Sequence, residues 1–531
     1  MKTMNRFLLT TMTLLALTLS SCNEWLNILP NNEQVTDNYW KTRQDVEAVV
    51  ASGYYYMRQA VPTMLVWGEV RGGALYSSNS QHSYLQNFNL TPSSGICDYA
   101  SLYKVIGMAN SVLKYAPSVT TEDETYYESV MKSHLCEAYF QRAYCYLVLV
   151  KNFREVPLVV EAFVNDDADY MTPKSSEADI IAQIKDDIEK ALATGAAKDI
   201  YEDTDGYTWQ TKGRATKWAL YALMADACLW NHDYDEAIQY CNYILDAPEG
   251  DTSFRPRFMS DMTKWYEIFY PGNSNESIFE LNWETHMSQT NNFGSWFSVG
   301  ASSTLKVTDH LKAKLIAETD EVMANSIRNG WATDGRVGRM IFGTFVSDAA
   351  DQTKYGTANY LSVWKYMGTD IADRGNTRPA QDANFILYRV PDVMLTKAEA
   401  LVMKGGTQSW QTALDLVNRI RQRAGLDSVN INVSETDEMV MLDAVMNEWT
   451  MEFLAEGKHW YNLLRMGRYD KGDGVYKERF INEIIESNQT TKDEWIKSVL
   501  MDENAWYMPI PYSEISVNEN LVQNPYYKTT K

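Results

Sequence analysis

Residues 213–245 limit the possible folds of this chain more than any other stretch. Apolar and small side chains recur every three or four positions over 218–229 and again over 237–244, and the polar triplet 231–233 interrupts them. This spacing predicts two amphipathic helices joined by a tight turn. Small residues where the helices meet predict that the two helices pack together as an antiparallel pair.

The same organisation recurs at 392–423 and at 134–150, whose helix we expect to pair with one near Ile180. A further single helix is predicted over 440–466. These units resemble tetratricopeptide repeats, which cannot bury their apolar faces alone and must stack. We therefore predict a mainly α fold with a tetratricopeptide-like scaffold, although irregular spacing argues against a simple solenoid. Its helical segments are expected at about 34–60, 100–246, 305–330 and 388–466.

Three long segments lack helical periodicity and are rich in Gly, Asn, Ser and aromatic residues: 62–99, 247–303 and 344–384. Loops of this length in a compact domain are either functional or disordered, and their aromatic content argues against disorder. We expect them to be ordered excursions, on the ligand-binding side, from a single domain over 22–531.

The N-terminus has the features of a signal peptide. Lys2 and Arg6 precede an apolar stretch over 7–19 that is too short and too polar to span a membrane. The sequence Leu-Ser-Ser-Cys at 19–22 resembles the bacterial lipobox, in which the cysteine is acylated and becomes the new N-terminus. We therefore predict that residues 1–21 are removed and that Cys22 carries the lipid anchor.

Charge and composition exclude several classes of function. The formal net charge of −22 disfavours nucleic acid and anionic lipid headgroups as partners. The six histidines are scattered, and no nucleotide-binding or zinc motif occurs, so we expect no metal or cofactor.

Acidic turns at 203–206 and 470–474 do not match a full EF-hand loop, which favours solvated turns over calcium sites. The five cysteines after Cys22 are odd in number and form no C-x-x-C pair, so a disulfide framework is not expected.

Glu448, Glu452 and Glu456 lie on one face of a predicted helix. Paired carboxylates beside aromatic walls are typical of glycosidases, which makes a helical, toroid-type glycoside hydrolase one hypothesis. The alternative is that arginines of a neighbouring helix, such as Arg419, Arg421 or Arg423, pair with these acids. We favour this structural interpretation, since an active site would have to open inside the packing of the scaffold.

Aromatic residues make up 12% of the chain and concentrate in the irregular segments, notably at 65–90 and 265–297. Aromatic rings beside amide and charged groups suit carbohydrate, because the apolar faces of sugars stack on rings and their hydroxyls form hydrogen bonds. Any single ring could instead anchor its own loop to the scaffold. The candidate ligand-binding residues are Trp67, Glu69, Arg71, Tyr76, Tyr84, Trp283 and Trp296.

Several motifs, in order along the chain, resemble those of the SusD/RagB family of outer-membrane nutrient-binding lipoproteins. Beyond the lipobox they are AYFQRAYCYLVLVKNFREVPLVV (138–160), GRATKWALYALMADACLW (213–230), YRVPDVMLTKAEAL (388–401), VNRIRQRAGL (417–426), MEFLAEGKHWYNLLR (451–465) and WYMPIPYSEISVNENLVQNPYY (506–527). The chain departs from the family pattern at Trp449, His459 and Asn462, where we expect an altered ion-pair network.

The resemblance implies a non-enzymatic, surface-exposed lipoprotein that caps a SusC-like TonB-dependent transporter and passes it an oligomeric nutrient. It implies no particular binding residues, because the ligand site varies within the family. Three functions therefore remain open: binding of an oligo- or polysaccharide, binding of a peptide as in RagB-like members, and the glycoside hydrolase considered above.

Overall fold

The computed structural model describes residues 39–163, 170–201, 209–246, 254–298, 303–315, 317–318, 344–346, 361–369, 378–469, 471–488 and 492–528. Cys22 and the acidic turn at 203–206 lie outside them, as do Asp470 of the second acidic turn, half of the predicted segment 305–330 and just over half of 344–384. Within the described residues, no helix is both long and apolar enough to span a bilayer.

Helices dominate the fold, which confirms the predicted mainly α class. Their bounds are α1 Arg43–Glu69, α2 Ser83–Gln86, α3 Ala100–Glu122, α4 Glu128–Phe153, α5 Glu177–Ala193, α6 Trp209–Gly213, α7 Lys217–Trp230, α8 Tyr234–Leu245, α9 Phe293–Trp296, α10 Val390–Lys404, α11 Thr407–Arg423, α12 Glu438–Glu452, α13 His459–Gly467, α14 Val475–Ser487, α15 Asp493–Leu500 and α16 Tyr512–Val517.

The predicted helical pairs are present and stack on one another. Helix α7 packs on α8, α10 on α11 and α4 on α5, while α8 also packs on α10. Thr216 caps α7 by accepting the backbone N–H of Ala219, and His232 turns the chain with a φ of 64° before α8 begins. The described cysteines are free and buried, and all except Cys97 lie within these helices, so they pack as small apolar residues as expected.

Two predicted helix boundaries are wrong. Helix α1 continues through Pro62 to Glu69, although the irregular segment was expected to begin at residue 62. All six residues from Met64 to Glu69 are buried, and this tertiary packing outweighs the roughly 3 kcal/mol cost of an interior proline.

The helix predicted over 440–466 is divided into α12 and α13 by a turn at 453–458. Ala455 and Gly457 have φ values of 66° and 78°, which a right-handed helix cannot contain. The buried carboxylate of Glu69 accepts backbone N–H groups of Ala455, Gly457 and Lys458 at 3.2, 2.7 and 3.0 Å. The turn is thus held by a residue almost 400 positions earlier in the chain.

Short antiparallel strand pairs lie between the helices, in the predicted irregular segments and also inside the predicted helical segments 100–246 and 305–330. Strand β1 (Leu75–Ser77) pairs with β5 (Leu305–Val307), β2 (Val156–Pro157) with β3 (Lys174–Ser175), β4 (Ser277–Leu281) with β8 (Phe385–Arg389), and β6 (Thr344–Val346) with β7 (Leu361–Val363). The β1–β5 pair positions Tyr76 opposite Lys306. These pairs order loops that have no helical periodicity.

Two of the departures from the family pattern, Trp449 and Asn462, belong to one buried network around Glu399, and His459 lies apart from it. Trp449 donates its indole N–H to Glu399 at 3.0 Å, and Arg465 donates two hydrogen bonds to the same carboxylate at 2.5 and 2.6 Å. Asn462 Oδ1 accepts a further bond from Arg465 at 3.0 Å. Burial lowers the pKa of His459 to about 4, so it is neutral at physiological pH.

Candidate functional site

The glutamates of the glycoside hydrolase hypothesis are enclosed by cations. Glu452 accepts hydrogen bonds from Arg389 and Arg423, and Glu456 accepts from Arg389 Nε at 2.9 Å and from Lys365 Nζ at 2.6 Å. Burial alone would raise the pKa of Glu452, but Arg423 and Arg389 outweigh it and hold that pKa below its usual value. The pKa of Glu456 falls to about 2 for the same reason.

Neighbouring cations offset the burial of the Glu448 carboxylate less completely than they do for Glu452 and Glu456. Burial raises its pKa to about 8, and Arg421, at 3.5 Å, opposes this shift only in part. The side chains of all three glutamates are at most 3% exposed. The structural interpretation is therefore supported, and the glycoside hydrolase hypothesis loses the residues on which it depended.

Trp67 and Arg71, two of the predicted ligand contacts, lie in the core. Trp67 is 1% exposed, and its indole N–H donates to the carbonyl of Ile96 at 2.7 Å. Arg71 lies over the ring of Trp460 at 4.2 Å and donates to the carbonyl of Ala505 at 3.0 Å. Because α1 extends past Pro62, these side chains pack inward, and their prediction as ligand contacts is corrected.

The same correction applies to Glu69 and Trp283. Glu69 is fully buried on the turn at 453–458, and burial raises its pKa to about 7 against the opposing effect of its three backbone hydrogen bonds. Trp283 is buried after β4, with its ring centroid 6.0 Å from that of Phe293 in an edge-to-face contact. Both side chains therefore belong to the core on which the irregular segments pack.

Three predicted residues do reach the surface. Tyr76 is 38% exposed on the outward face of β1, Tyr84 is 37% exposed on α2, and Trp296 is half-buried at the end of α9. We call these three residues the aromatic face. An exposed ring of this size can stack on a ligand without any rearrangement of the fold.

His82 joins the elements that carry the aromatic face. Its Nδ1 is hydrogen-bonded to Ser77 Oγ at 2.8 Å, and its ring lies 6.2 Å from that of Trp296 in an edge-to-face contact. Burial lowers the pKa of His82, so the imidazole is neutral at physiological pH. The backbone N–H of Ser77 also donates to Gln86 Oε1 at 2.6 Å. Strand β1, α2 and α9 are thereby held side by side.

The sequence interpretation missed Trp495. This tryptophan is exposed on α15, and its indole N–H donates to the carbonyl of Asn87, just after α2, at 3.0 Å. The buried face of α15 consists of Ile496, Val499 and Leu500, so Trp495 lies on the polar side of an amphipathic helix. A large aromatic residue on a polar helix face is the signal that could have identified it.

The site can bind a ligand that offers both apolar faces and hydrogen-bonding groups. Its rings provide flat apolar surfaces, Lys306 lies opposite Tyr76 in the strand pair, and the exposed Ser78 and Asn79 follow directly after β1. This combination of stacking surface and directional polar groups is typical of carbohydrate recognition.

Comparison with known families places nearly the whole chain. Residues 190–527 match the model of the SusD family, and residues 24–229 match a family described as "Starch-binding associating with outer membrane". SusD-like protein P38 of Formosa agariphila is 26% identical, with 85% of this chain and 89% of that protein covered. A SusD-like protein of Bacteroides ovatus is 24% identical, with 86% and 81% covered.

Solved structures have the same fold. A SusD superfamily protein from Bacteroides vulgatus superposes with a TM-score of 0.70 at 19% identity, covering 92% of this chain and 100% of that chain. A laminarin-binding SusD-like protein has a TM-score of 0.65 at 19% identity, covering 91% and 99%. Surface glycan-binding protein A from Bacteroides uniformis has a TM-score of 0.67 at 17% identity, covering 92% and 100%.

Proposed function

The chain belongs to the SusD/RagB family, and from that premise we propose that it is a surface lipoprotein that binds an oligo- or polysaccharide. It delivers this glycan to a partner TonB-dependent outer-membrane transporter. Acylated Cys22 anchors it in the outer membrane. The observation that carries the proposal is the aromatic face, where Tyr76 and Tyr84 are exposed, Trp296 is half-buried, and Lys306 lies opposite Tyr76.

Two further observations support carbohydrate as the ligand. Two structures with the same fold are named for laminarin and for surface glycan, and a partial sequence relative is named for starch. Within the described residues, ion pairs occupy the helical glutamates, which removes the support for hydrolysis by these residues and favours binding alone. Stacking on Tyr76, Tyr84 and Trp296 supplies affinity, and hydrogen bonds to their polar neighbours select the orientation of the sugar.

The proposal is tested by affinity electrophoresis in gels that contain laminarin, starch or one of a panel of other soluble polysaccharides. The wild-type protein is expected to be retarded by at least one of them. Replacement of Tyr76, Tyr84 and Trp296 together by alanine should abolish that retardation, because the stacking surface is removed.

The matched control is Tyr127→Ala, which removes an equally large exposed ring at the N-terminus of α4. The unfolding curve of Tyr127→Ala should superpose on that of the wild type. The triple variant should be less stable, because Trp296 packs on Phe293 and His82, but it should remain folded at the temperature of the gel. Full retardation of the triple variant would contradict this site. If no polysaccharide retards the wild type but a peptide column retains it, the ligand is instead a peptide.

A further inference from the structure

A second group of exposed rings lies on α1 and α6, outside the aromatic face. Tyr55 and Trp209 are each 47% exposed. Single exposed aromatic residues are common on protein surfaces. These two differ because they flank one cluster of polar groups that joins α1, α6 and the loop after β4.

Arg58 lies one turn after Tyr55 and links α1 to that loop. Its Cζ is 5.8 Å from the centroid of the Tyr55 ring, and its Nη1 donates to the carbonyl of Asn282 at 2.8 Å and to Gln289 Oε1. Among the described residues, no acceptor takes a bond from Arg58 Nε or Nη2, and no carboxylate pairs with this half-buried guanidinium. Two donor groups beside an exposed ring are therefore available to a ligand.

Asn282 lies between Arg58 and Trp209. A methyl group at Gly213 would be 2.4 Å from Asn282 Nδ2 and 3.6 Å from Trp209 Cε3, so the amide lies against the backbone of α6 and beside the indole. Neither Nδ2 nor Oδ1 of this side chain has a hydrogen-bond partner in the described part of the chain. A buried amide without partners costs stability unless another molecule pairs with it.

This second group and the aromatic face pack on the same set of buried aromatic residues. Asn282 is followed directly by Trp283, whose ring contacts Phe293, and the ring of Phe293 in turn contacts that of Trp296 with centroids 6.4 Å apart. A series of aromatic contacts through the buried rings of Trp283 and Phe293 therefore connects the two surfaces.

We propose that Tyr55, Arg58, Trp209 and Asn282 form a second sugar-binding surface, which binds another stretch of the same glycan. This inference rests on the proposed function. The rings of Tyr55 and Trp209 stack on apolar sugar faces, and Arg58 donates to hydroxyl groups between them. The amide of Asn282 can both donate and accept once the edge of Trp209 moves aside.

Two surfaces on one rigid frame select for long ligands. A polymer that reaches both surfaces gains an intramolecular second contact, whereas a short fragment occupies one surface at a time. The substrate class is therefore a polysaccharide or long oligosaccharide, and affinity should rise steeply with chain length.

The test measures, by isothermal titration calorimetry, the affinity for the polysaccharide that retards the wild type and for its trisaccharide fragment. Tyr55→Ala/Trp209→Ala should weaken polysaccharide binding by at least about tenfold, and the tighter trisaccharide site should keep its affinity. Tyr55→Phe/Trp209→Phe should retain most of the wild-type affinity. The matched control, Tyr127→Ala/Phe254→Ala, removes two exposed rings elsewhere and should change nothing.

Each of the other possible results contradicts a specific part of the proposal. Unchanged polysaccharide affinity in Tyr55→Ala/Trp209→Ala contradicts the second surface. An equal loss of trisaccharide and polysaccharide affinity contradicts two separate surfaces and indicates one continuous site. If the wild type binds no polysaccharide of the panel, the proposed function itself is contradicted and this inference with it.

Discussion

Two glutamates one helical turn apart on α12 have opposite pKa shifts, although the sequence treats them alike. Glu452 lies between the guanidinium groups of Arg389 and Arg423, while Glu448 has Arg421 at 3.5 Å. Spacing along the helix predicted that these acids pair with arginines. It could not predict which acid stays charged, because that depends on how many cations tertiary packing brings to each carboxylate.

This difference predicts opposite effects of pH on two matched variants. The pKa of Glu448 in the folded protein is about 8, above its ordinary value of 4.5, so wild-type stability falls as pH rises between those values. Glu448→Gln removes that loss, and its melting temperature should exceed that of the wild type by an amount that grows from pH 5 to pH 8.

Glu452→Gln should instead lower the melting temperature relative to the wild type. The pKa of Glu452 is lowered, so its ion pairs stabilise the fold above about pH 4.5, and this contribution is lost as the pH falls. Breaking a buried pair costs about 3–5 kcal/mol, which should appear at pH 7 and shrink in acid. Thermal melts of both variants from about pH 2 to pH 8 cover both windows, and parallel pH profiles would contradict this account.

At the scale of elements, periodic segments were predicted well and the junctions between them were not. The pairs α7–α8 and α10–α11 follow from apolar spacing that their own residues carry. The extension of α1 past Pro62 and the turn at 453–458 depend instead on contact between them, made by Gly68 and Glu69. No pattern within either segment contains that information.

Two glycines in long helices test this junction. A methyl group at Gly68 in α1 would lie 2.0 Å from the carbonyl oxygen of Gly457, so Gly68→Ala must separate the helix from the turn. We expect a loss of at least about 3 kcal/mol in the free energy of unfolding, the upper range for overpacking.

Gly107 in α3 is the matched control, because a methyl group there meets nothing within 4 Å. Gly107→Ala should stabilise the protein by about 0.5–1 kcal/mol through helix propensity. Urea unfolding curves compare the two, and a neutral Gly68→Ala would show that the junction is not closely packed.

At the scale of the whole molecule, motif order predicted the family, and aromatic composition located the segments that carry the candidate site. Composition alone could not distinguish the rings that reach the surface from those that are buried beneath it. Tyr76, Tyr84 and Trp296 reach the surface, whereas Trp67 and Trp283 are buried. All five lie in similar sequence contexts, and their exposure depends on the strand and helix contacts that order each loop.

The proposed anchor at Cys22 gives a prediction for the intact cell. Cys22→Ala should abolish incorporation of radiolabelled palmitate and release the protein from the membrane fraction, because an acidic domain has little affinity for anionic lipid by itself. With Cys22 present, the protein should co-purify with a TonB-dependent transporter from detergent-solubilised outer membranes. Palmitate labelling of Cys22→Ala at the wild-type level would contradict the anchor.

The central claim is that glycan stacks on the aromatic face, and a crystal structure with a bound oligosaccharide tests it most directly. The oligosaccharide should derive from the polysaccharide that retards the protein most strongly. The account predicts sugar rings in contact with Tyr76, Tyr84 or Trp296, with hydroxyl groups hydrogen-bonded to the polar side chains around them. An oligosaccharide bound elsewhere, with these three rings free, would contradict it.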